Sequence, residues 1–214
     1  GRPRLFFAVS PGAMDSMVNR YTANRRMRHD DAYTPDGRHG MRPDYPSIVY
    51  SKILKQLFPD VPVVLGGIEA SLRRLTHYDY WEDKLKKCIL CESGADIILY
   101  GMGEKNTLQL CRELENGRSI KDVKDIPQTV YLAKKEDIPG GITDTDIVLH
   151  SHEECLRNKK AQAENFRHIE EESNKMHAQR LIQGVDHQFA VVNPPYPPMT
   201  TEELDAAFDL PYTR

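Results

Sequence analysis

Residues Val61 to Arg74 read VPVVLGGIEASLRR, and the interpretation of this stretch decides the fold. A run of valines and a leucine stops at two glycines, followed by a glutamate and a segment that carries paired arginines. Unbroken hydrophobicity, as opposed to alternation, marks a strand covered on both faces, the situation in parallel sheets. LFFAVSPG (Leu5 to Gly12) and ADIILYGMG (Ala95 to Gly103) share this grammar of a short apolar run closed by a glycine turn. Helical patterns lie between and after them. YPSIVYSKILKQLFPD places Ile48, Tyr50, Ile53, Leu54 and Leu57 on one face, with Pro59 and Asp60 as its stop. EKNTLQLCRELENG sets Leu108, Cys111 and Leu114 three apart and ends at Asn116-Gly117. This alternation predicts an α/β fold, a Rossmann-like parallel sheet over residues 1–133 with an α+β extension over 134–214.

Parallel strands would bring their glycine turns to one edge, outside the carboxyl ends, where open α/β sheets bind ligands. Gly12, Gly66, Gly67, Gly101 and Gly103 would then line a crevice and admit a ligand close to backbone N–H donors. Equally, each glycine could simply make a turn. GGIEAS and GMGEKN lack the third glycine of a dinucleotide fingerprint, and no P-loop pattern occurs. Glu69 and Glu104 follow the turns at expected helix starts, where a carboxylate also meets the positive dipole end. Arg73 and Arg74 could hold an anion or pair with acids. In THYDYW, His77 beside Asp79 could be an oriented general base, or part of an aromatic cluster seating a helix. The polar stretch from Asn19 to Pro46 is too long for an ordinary connector and should emerge over the same edge. Arg20, Arg25, Arg26 and Arg28 make it basic, partly offset by Asp30 and Asp31, so it reads as a lid, an inter-domain contact or solvated disorder.

Bulk properties exclude several classes. With 214 residues, 39% hydrophobic and 29% charged, the chain can bury a core while staying on the polar side of average. A net charge of −3 gives no global pull toward nucleic acid or anionic membrane. No apolar run reaches the roughly 18 residues of a membrane span, and no signal peptide is visible. The chain starts at Gly1 and stops in a proline-punctuated stretch, which suggests a piece of a longer protein. Cys88, Cys91, Cys111 and Cys155 form no disulfide framework, so a reducing cytoplasm is the expected compartment. Cys88 and Cys91 make a C-x-x-C near the end of WEDKLKKCILCESG, which reads as one helix with Trp81, Leu85 and Cys88 on a side. Packing, not redox or zinc chemistry, is the expected role there, since a redox pair belongs at a helix N-terminus.

The second half has another character. VYLAKKED reads as an edge strand, and Ser151 with Glu154 forms a capping box that opens a long polar helix to about Ala178. Its sparse apolar stripe, Leu156, Ala163, Phe166, Ile169 and Met176, suits a surface or an inter-domain position. RLIQGVDHQFAVVNPP predicts a hairpin that turns at Gly184 to Asp186, and NPPYPPM an extended segment. Thr200 and Glu203 cap a final short helix.

Three long stretches carry a family resemblance: GRPRLFFAVSPGAMDSMVNRYTANRRMRHDDAYTPDG, VPVVLGGIEASLRRLTHYDYW and NPPYPPMTTEELDAAFDLPYTR. Together they closely resemble the N-terminal region of the YgiQ-type radical S-adenosylmethionine proteins, over the full length of the chain. ADIILYGMGEKNTLQLCRELENG also resembles a segment shared among radical enzymes with a cobalamin-binding-like domain. The resemblance implies a following partial TIM-type barrel, the partner of this domain in the same chain. There a C-x-x-x-C-x-x-C loop would hold a 4Fe–4S cluster that cleaves S-adenosylmethionine to a 5′-deoxyadenosyl radical. That loop is expected after Arg214, and none of the four cysteines matches it, so no cofactor is expected within these residues. The D-x-H-x-x-G motif that supplies a lower cobalamin ligand is absent as well. The leading expectation is an accessory domain for substrate recognition or barrel cover, with Arg25, Arg26, Arg73, Arg74 and His77 around the crevice. A stand-alone anion or nucleotide module, or a purely structural interaction domain, are the alternatives.

Overall fold

The computed structural model describes residues 1–211, so the last three residues of the final resemblance stretch lie outside it. The chain runs through β1 (Phe7–Val9), α1 (Ser16–Arg20), α2 (Pro46–Leu57), β2 (Val63–Leu65), α3 (Gly67–Leu72), β3 (His77–Asp79), β4 (Lys84–Lys86), α4 (Ile89–Ser93) and β5 (Ile97–Leu99). It continues with α5 (Glu104–Glu115), β6 (Thr129–Ala133), β7 (Ile147–Leu149), α6 (His152–Arg157), α7 (Lys159–Ser173), β8 (Leu181–Val185), β9 (Gln188–Val192) and α8 (Thr201–Phe208).

The fold is α/β. One sheet has the order β1-β2-β5-β6-β9-β8-β7, and β3 with β4 form a separate hairpin. β1, β2 and β5 are parallel, with Val64 opposite both Ala8 and Ile97, as the unbroken apolar runs require. Val63, Leu65 and Ile98 point into a core with Ile48, Ala70 and Ile89, while Val64, Ile97 and Leu99 pack on Leu110, Val123 and Ile126. Both faces are therefore dry, and the three glycine turns share one edge. The remaining pairings are antiparallel except β7 with β8, so the segment after residue 133 extends the same sheet.

Several local expectations are corrected. The stretch read as a helix from Trp81 is the β3–β4 hairpin followed by a short α4. Asp79 explains the change: its Oδ1 accepts from the N–H groups of Trp81 (2.9 Å) and Glu82 (2.8 Å), and Asp83 sits at φ 54°. A side chain that captures two successive amides builds a turn where a helix would begin. Cys88 consequently lies at the N-cap of α4, not near a helix C-terminus. VYLA is an interior strand, not an edge, because Val130 and Tyr131 are buried on opposite faces. The long polar helix breaks at Asn158, whose extended backbone ends α6 while its side chain caps α7 through Lys160 N. It stops at Ser173, short of Ala178. The hairpin turns at Asp186-His187, since Val185 still pairs with Gln188. The inward faces of α2 and α5 are also rotated from the expected ones. Ser47, Ile48 and Ser51 are buried in α2, Asn106 and Leu110 in α5, leaving Tyr50, Ile53, Leu57 and Leu108 exposed. Both capping boxes, Ser151–Glu154 and Thr200–Glu203, form as the spacing predicts.

Candidate functional site

The glycine edge is filled by the chain itself. Gly67 has φ +79°, and a Cβ there would stand 2.6 Å from Ser10 Oγ and 3.4 Å from the Gly12 carbonyl oxygen. Gly12 lies under the Tyr33 ring, whose hydroxyl accepts from Ala13 N at 3.0 Å. Gly101 donates to Ser71 Oγ at 3.2 Å, and Gln128 clamps its loop by donating to the carbonyls of Tyr100 (2.8 Å) and Met102. Gly66 and Gly103 meet ordinary neighbours, and Glu104 stays exposed in the first turn of α5. The structure thus brings Gly12, Gly67 and Gly101 into close-packed turns. Their missing side chains let loop meet loop.

The polar stretch after β1 is ordered and folds back over this edge. Arg42 forks onto Asp31 with bonds of 2.8 and 2.9 Å and donates to the Pro11 carbonyl at 3.0 Å. These contacts, with the one from Asn19 Nδ2 and the Tyr33 amide, hold Asp31 below the usual carboxylate range despite burial. Tyr80 Oη donates to the Ala23 carbonyl at 2.7 Å, and the Arg25 guanidinium lies 4.6 Å from the Tyr80 ring centroid. Arg26 is exposed.

Glu69 is fully buried and works within the fold. Its Oε2 accepts from Ser16 N at 3.0 Å, at the start of α1. Next to it Asp15 accepts from Met17 N and Val18 N and forms a buried ion pair with Arg73. The Asp15 carboxylate, with Glu69 and Asp79 nearby, outweighs the burial that opposes charge and raises the Arg73 guanidinium.

A concavity lies beside this cluster. A cleft of ≈ 850 Å³ opens between the 72–81 segment, α7 and the end of α1. That volume falls within the range of small-molecule sites, roughly 300–1,000 Å³. Most of its lining is apolar, with Leu72 and Leu75 facing Phe166 and Ile169 of α7. Leu72, Tyr78 and Phe166 keep more than half of their surface exposed (59%, 54% and 60%), a cost the fold alone does not require. Three polar side chains of the lining have a buried atom with no hydrogen-bond partner beyond those on Arg73 and Asp79: His77 Nε2, Arg74 Nε and Gln162 Oε1.

His77 is the best defined of them. Its Nδ1 lies 3.0 Å from the Leu75 carbonyl, an acceptor, so the proton resides on Nδ1 and Nε2 carries a free lone pair. Burial, opposed by the Leu75 contact and aided by Arg73, lowers its pKa to about 4, so the ring is neutral near pH 7. Asp79 does not orient it; that carboxylate accepts from Tyr45 Oη at 2.9 Å and from the hairpin amides. Of the two readings open for His77, the oriented general-base pair with Asp79 is not formed, and His77 is a hydrogen-bond acceptor. Arg74 donates to the Ser71 carbonyl at 2.6 Å and sits 5.2 Å from the Tyr100 ring centroid. Among the described residues no carboxylate forms an ion pair with it, and burial, opposed by the charges of Tyr100 and of Glu170 in the cleft lining, pulls its guanidinium below the ordinary value.

Arg73, Arg74 and His77, expected at the glycine crevice, thus meet at a different cleft. Sequence reasoning did not assign its opposite wall. The only signal was the stripe Ala163, Phe166 and Ile169, whose spacing puts all three on one face of α7.

The residues present do not fit an iron–sulfur cluster. Cys88 and Cys155 are buried, Cys155 Sγ accepts from Asn165 Nδ2, and no group of three or more His, Cys, Asp or Glu is arranged to hold a metal among the described residues. No described helix is long and apolar enough to cross a membrane.

The family model described as radical SAM N-terminal matches residues 1–214. The chain is similar to UPF0313 proteins of Bacteroides thetaiotaomicron (61% identical, 100% of this chain and 36% of the relative) and Porphyromonas gingivalis (60%, 100% and 34%). A UPF0313 protein of Geobacter sulfurreducens is 46% identical over 100% of this chain and 35% of its own length. The chain therefore spans about a third of the length of these curated relatives. No solved structure matches it.

Proposed function

The chain belongs to the radical SAM N-terminal family, and from that premise we propose that it is the accessory α/β domain of a radical S-adenosylmethionine enzyme. In this reading a 4Fe–4S cluster and S-adenosylmethionine are held by a barrel elsewhere in the longer protein. This domain recognises the substrate and helps to cover the barrel, in the cytoplasm. The observation that carries the reading is the cleft walled by residues 72–81 and α7, an apolar cavity lined by polar side chains with unpaired atoms. The cluster supplies the radical chemistry when bound. What this chain can supply is an apolar surface that displaces water, an acceptor at His77 Nε2 and a cation at Arg74.

Anaerobic reconstitution of the full-length protein tests this. A loaded cluster should release 5′-deoxyadenosine from S-adenosylmethionine under reduction. Arg74→Gln and His77→Phe should load the same cluster and keep this uncoupled cleavage. The reading fails if the loaded protein never yields 5′-deoxyadenosine, or if these two variants lose the cluster.

A further inference from the structure

We propose that the cleft between α7 and the 72–81 segment binds a small anionic amphiphile: a flat apolar body between the walls, an anionic group on Arg74, and a hydrogen-bond donor on His77 Nε2. This deepens the preceding reading, because it rests on that cleft being the recognition site and names the chemistry recognised.

Three features converge on this class. The first is shape and polarity: Phe166 and Ile169 on one side face Leu72 and Leu75 on the other, which suits a body that is itself apolar. The second is charge. Arg73 beside the cleft is neutralised by Asp15, whereas Arg74 has no ion-pair partner among the described residues and an unpaired Nε. Glu170, which also lines the cleft, acts on Arg74 only through its charge and forms no ion pair with it, so a partly buried guanidinium still gains from a directly bonded anion more than an exposed one does. The third is the fixed tautomer of His77. With Nδ1 committed to the Leu75 carbonyl, Nε2 can only accept, so the ligand must bring an N–H or O–H to it. Gln162 Oε1, also unpaired, is a second acceptor on the α7 side. An unpaired buried acceptor rejects analogues that lack the donor, because they leave it desolvated and unbonded.

The test uses the full-length protein without cluster reconstitution, so its outcome is separate from that of the radical chemistry. The fluorescent probe 8-anilinonaphthalene-1-sulfonate carries an aromatic body, an N–H and an anion, and its emission reports entry. Indole-3-propanoate should displace it competitively. Its primary amide, which lacks the anion, and its N-methylindole counterpart, which lacks the donor, should each be weaker by about tenfold, as loss of one hydrogen bond to a charged or buried partner implies. Arg74→Gln should weaken indole-3-propanoate by about tenfold and abolish the preference over the amide. His77→Phe should abolish the preference over the N-methyl analogue, and His77→Gln, whose amide oxygen can stand near the former Nε2, should restore it. Thermal unfolding checks that the variants remain folded. The proposal is overturned if no probe binds at up to about 1 mM, if Arg74→Gln binds as the wild type does, or if methylation of the indole nitrogen has no effect. Failure here with normal 5′-deoxyadenosine release would leave the radical reading standing, and the reverse result would leave the ligand assignment standing.

Discussion

Replacing the two adjacent glycines one at a time gives the sharpest test of how the sheet edge is built. Gly67 has φ +79°, a region where an L side chain costs about 1–2 kcal/mol. Its Cβ would also stand 2.6 Å from Ser10 Oγ, inside any real contact distance. The Ser10 hydroxyl must rotate away and give up its hydrogen bond from Gly12 N, now 3.3 Å, worth about 0.5–1.5 kcal/mol net. Gly67→Ala should therefore destabilise the chain by about 1.5–3.5 kcal/mol. Gly66 is extended, with its nearest would-be neighbour the Leu99 carbonyl at 3.8 Å. Gly66→Ala should be neutral or stabilise by about 0.4–1 kcal/mol, because alanine narrows the unfolded ensemble without strain. Urea unfolding of wild type and both variants gives the comparison directly. Adding Ser10→Ala to Gly67→Ala should cost little more, since the hydrogen bond that Ser10→Ala removes is already lost in Gly67→Ala, whereas Ser10→Ala alone should cost about 0.5–1.5 kcal/mol. Equal costs at the two positions, or a silent Gly67→Ala, would refute the claim that loop-on-loop packing explains this glycine.

Other perturbations read the same architecture. His77 has a folded pKa of about 4 against 6.5 unfolded, so the unfolded state binds more protons between those values and stability rises with pH there. Relative to His77→Gln, the wild type should lose about 1.4 kcal/mol per pH unit as pH falls from 6.5 to 4, about 3 kcal/mol in all. A flat difference in urea titrations across that window would show that His77 is not buried in neutral form. Arg73→Met leaves Asp15 and Glu69 buried without their cation and should cost about 3–5 kcal/mol by the same measurement, while a loss below about 1 kcal/mol would mean that the pair is hydrated. The Cys88 thiol hydrogen-bonds Cys91, which lowers the Cys91 pKa and raises that of Cys88, and of the two only Cys91 is partly accessible. Iodoacetamide at neutral pH should label Cys91 well before Cys88 by peptide mass mapping, and equal labelling would contradict the buried arrangement.

The parallel half of the sheet was legible because its strands are dry on both faces, and that burial shows as unbroken runs such as VVL and IIL. Capping boxes were legible for a similar reason: the whole interaction lies within four residues. What escaped were elements set by one side chain or by distant partners. Asp79 turns a helix-like stretch into a hairpin with two hydrogen bonds, a contest that periodicity cannot see. TVYLA sits in the sheet interior only because β9, some sixty residues later, pairs with it. For the site, Arg73, Arg74 and His77 were expected along the glycine rim, and the structure places them along a cleft beside α7. The crevice inferred from glycines is packed with Tyr33 and Ser10, and the open volume lies where α7 crosses the 72–81 segment.

That displacement follows from how the two walls of the cleft are joined. Gln183 of β8 is buried, and its side chain accepts from Thr76 N at 2.8 Å while donating to the His150 carbonyl at 2.9 Å. The same carbonyl accepts from Asn165 Nδ2 of α7 at 2.9 Å, and Asn165 Oδ1 accepts from His150 N at 2.9 Å. Thr76 Oγ1 further contacts His152 Nδ1 at 3.1 Å. Two buried amides, Gln183 and Asn165, joined through the His150 backbone, thus link the segment that presents Arg74 and His77 to the helix that presents Phe166 and Ile169. Breaking any member of this chain leaves a buried donor or acceptor unmatched, at about 1–3 kcal/mol, so the separation of the walls is held firmly. The ligand proposed above, with its flat apolar body and two polar points, needs such a fixed gap. A glycine rim closed by its own loops cannot provide it. The polar network at Gln183, more than the glycine turns, is what fixes the gap between the walls of the cleft.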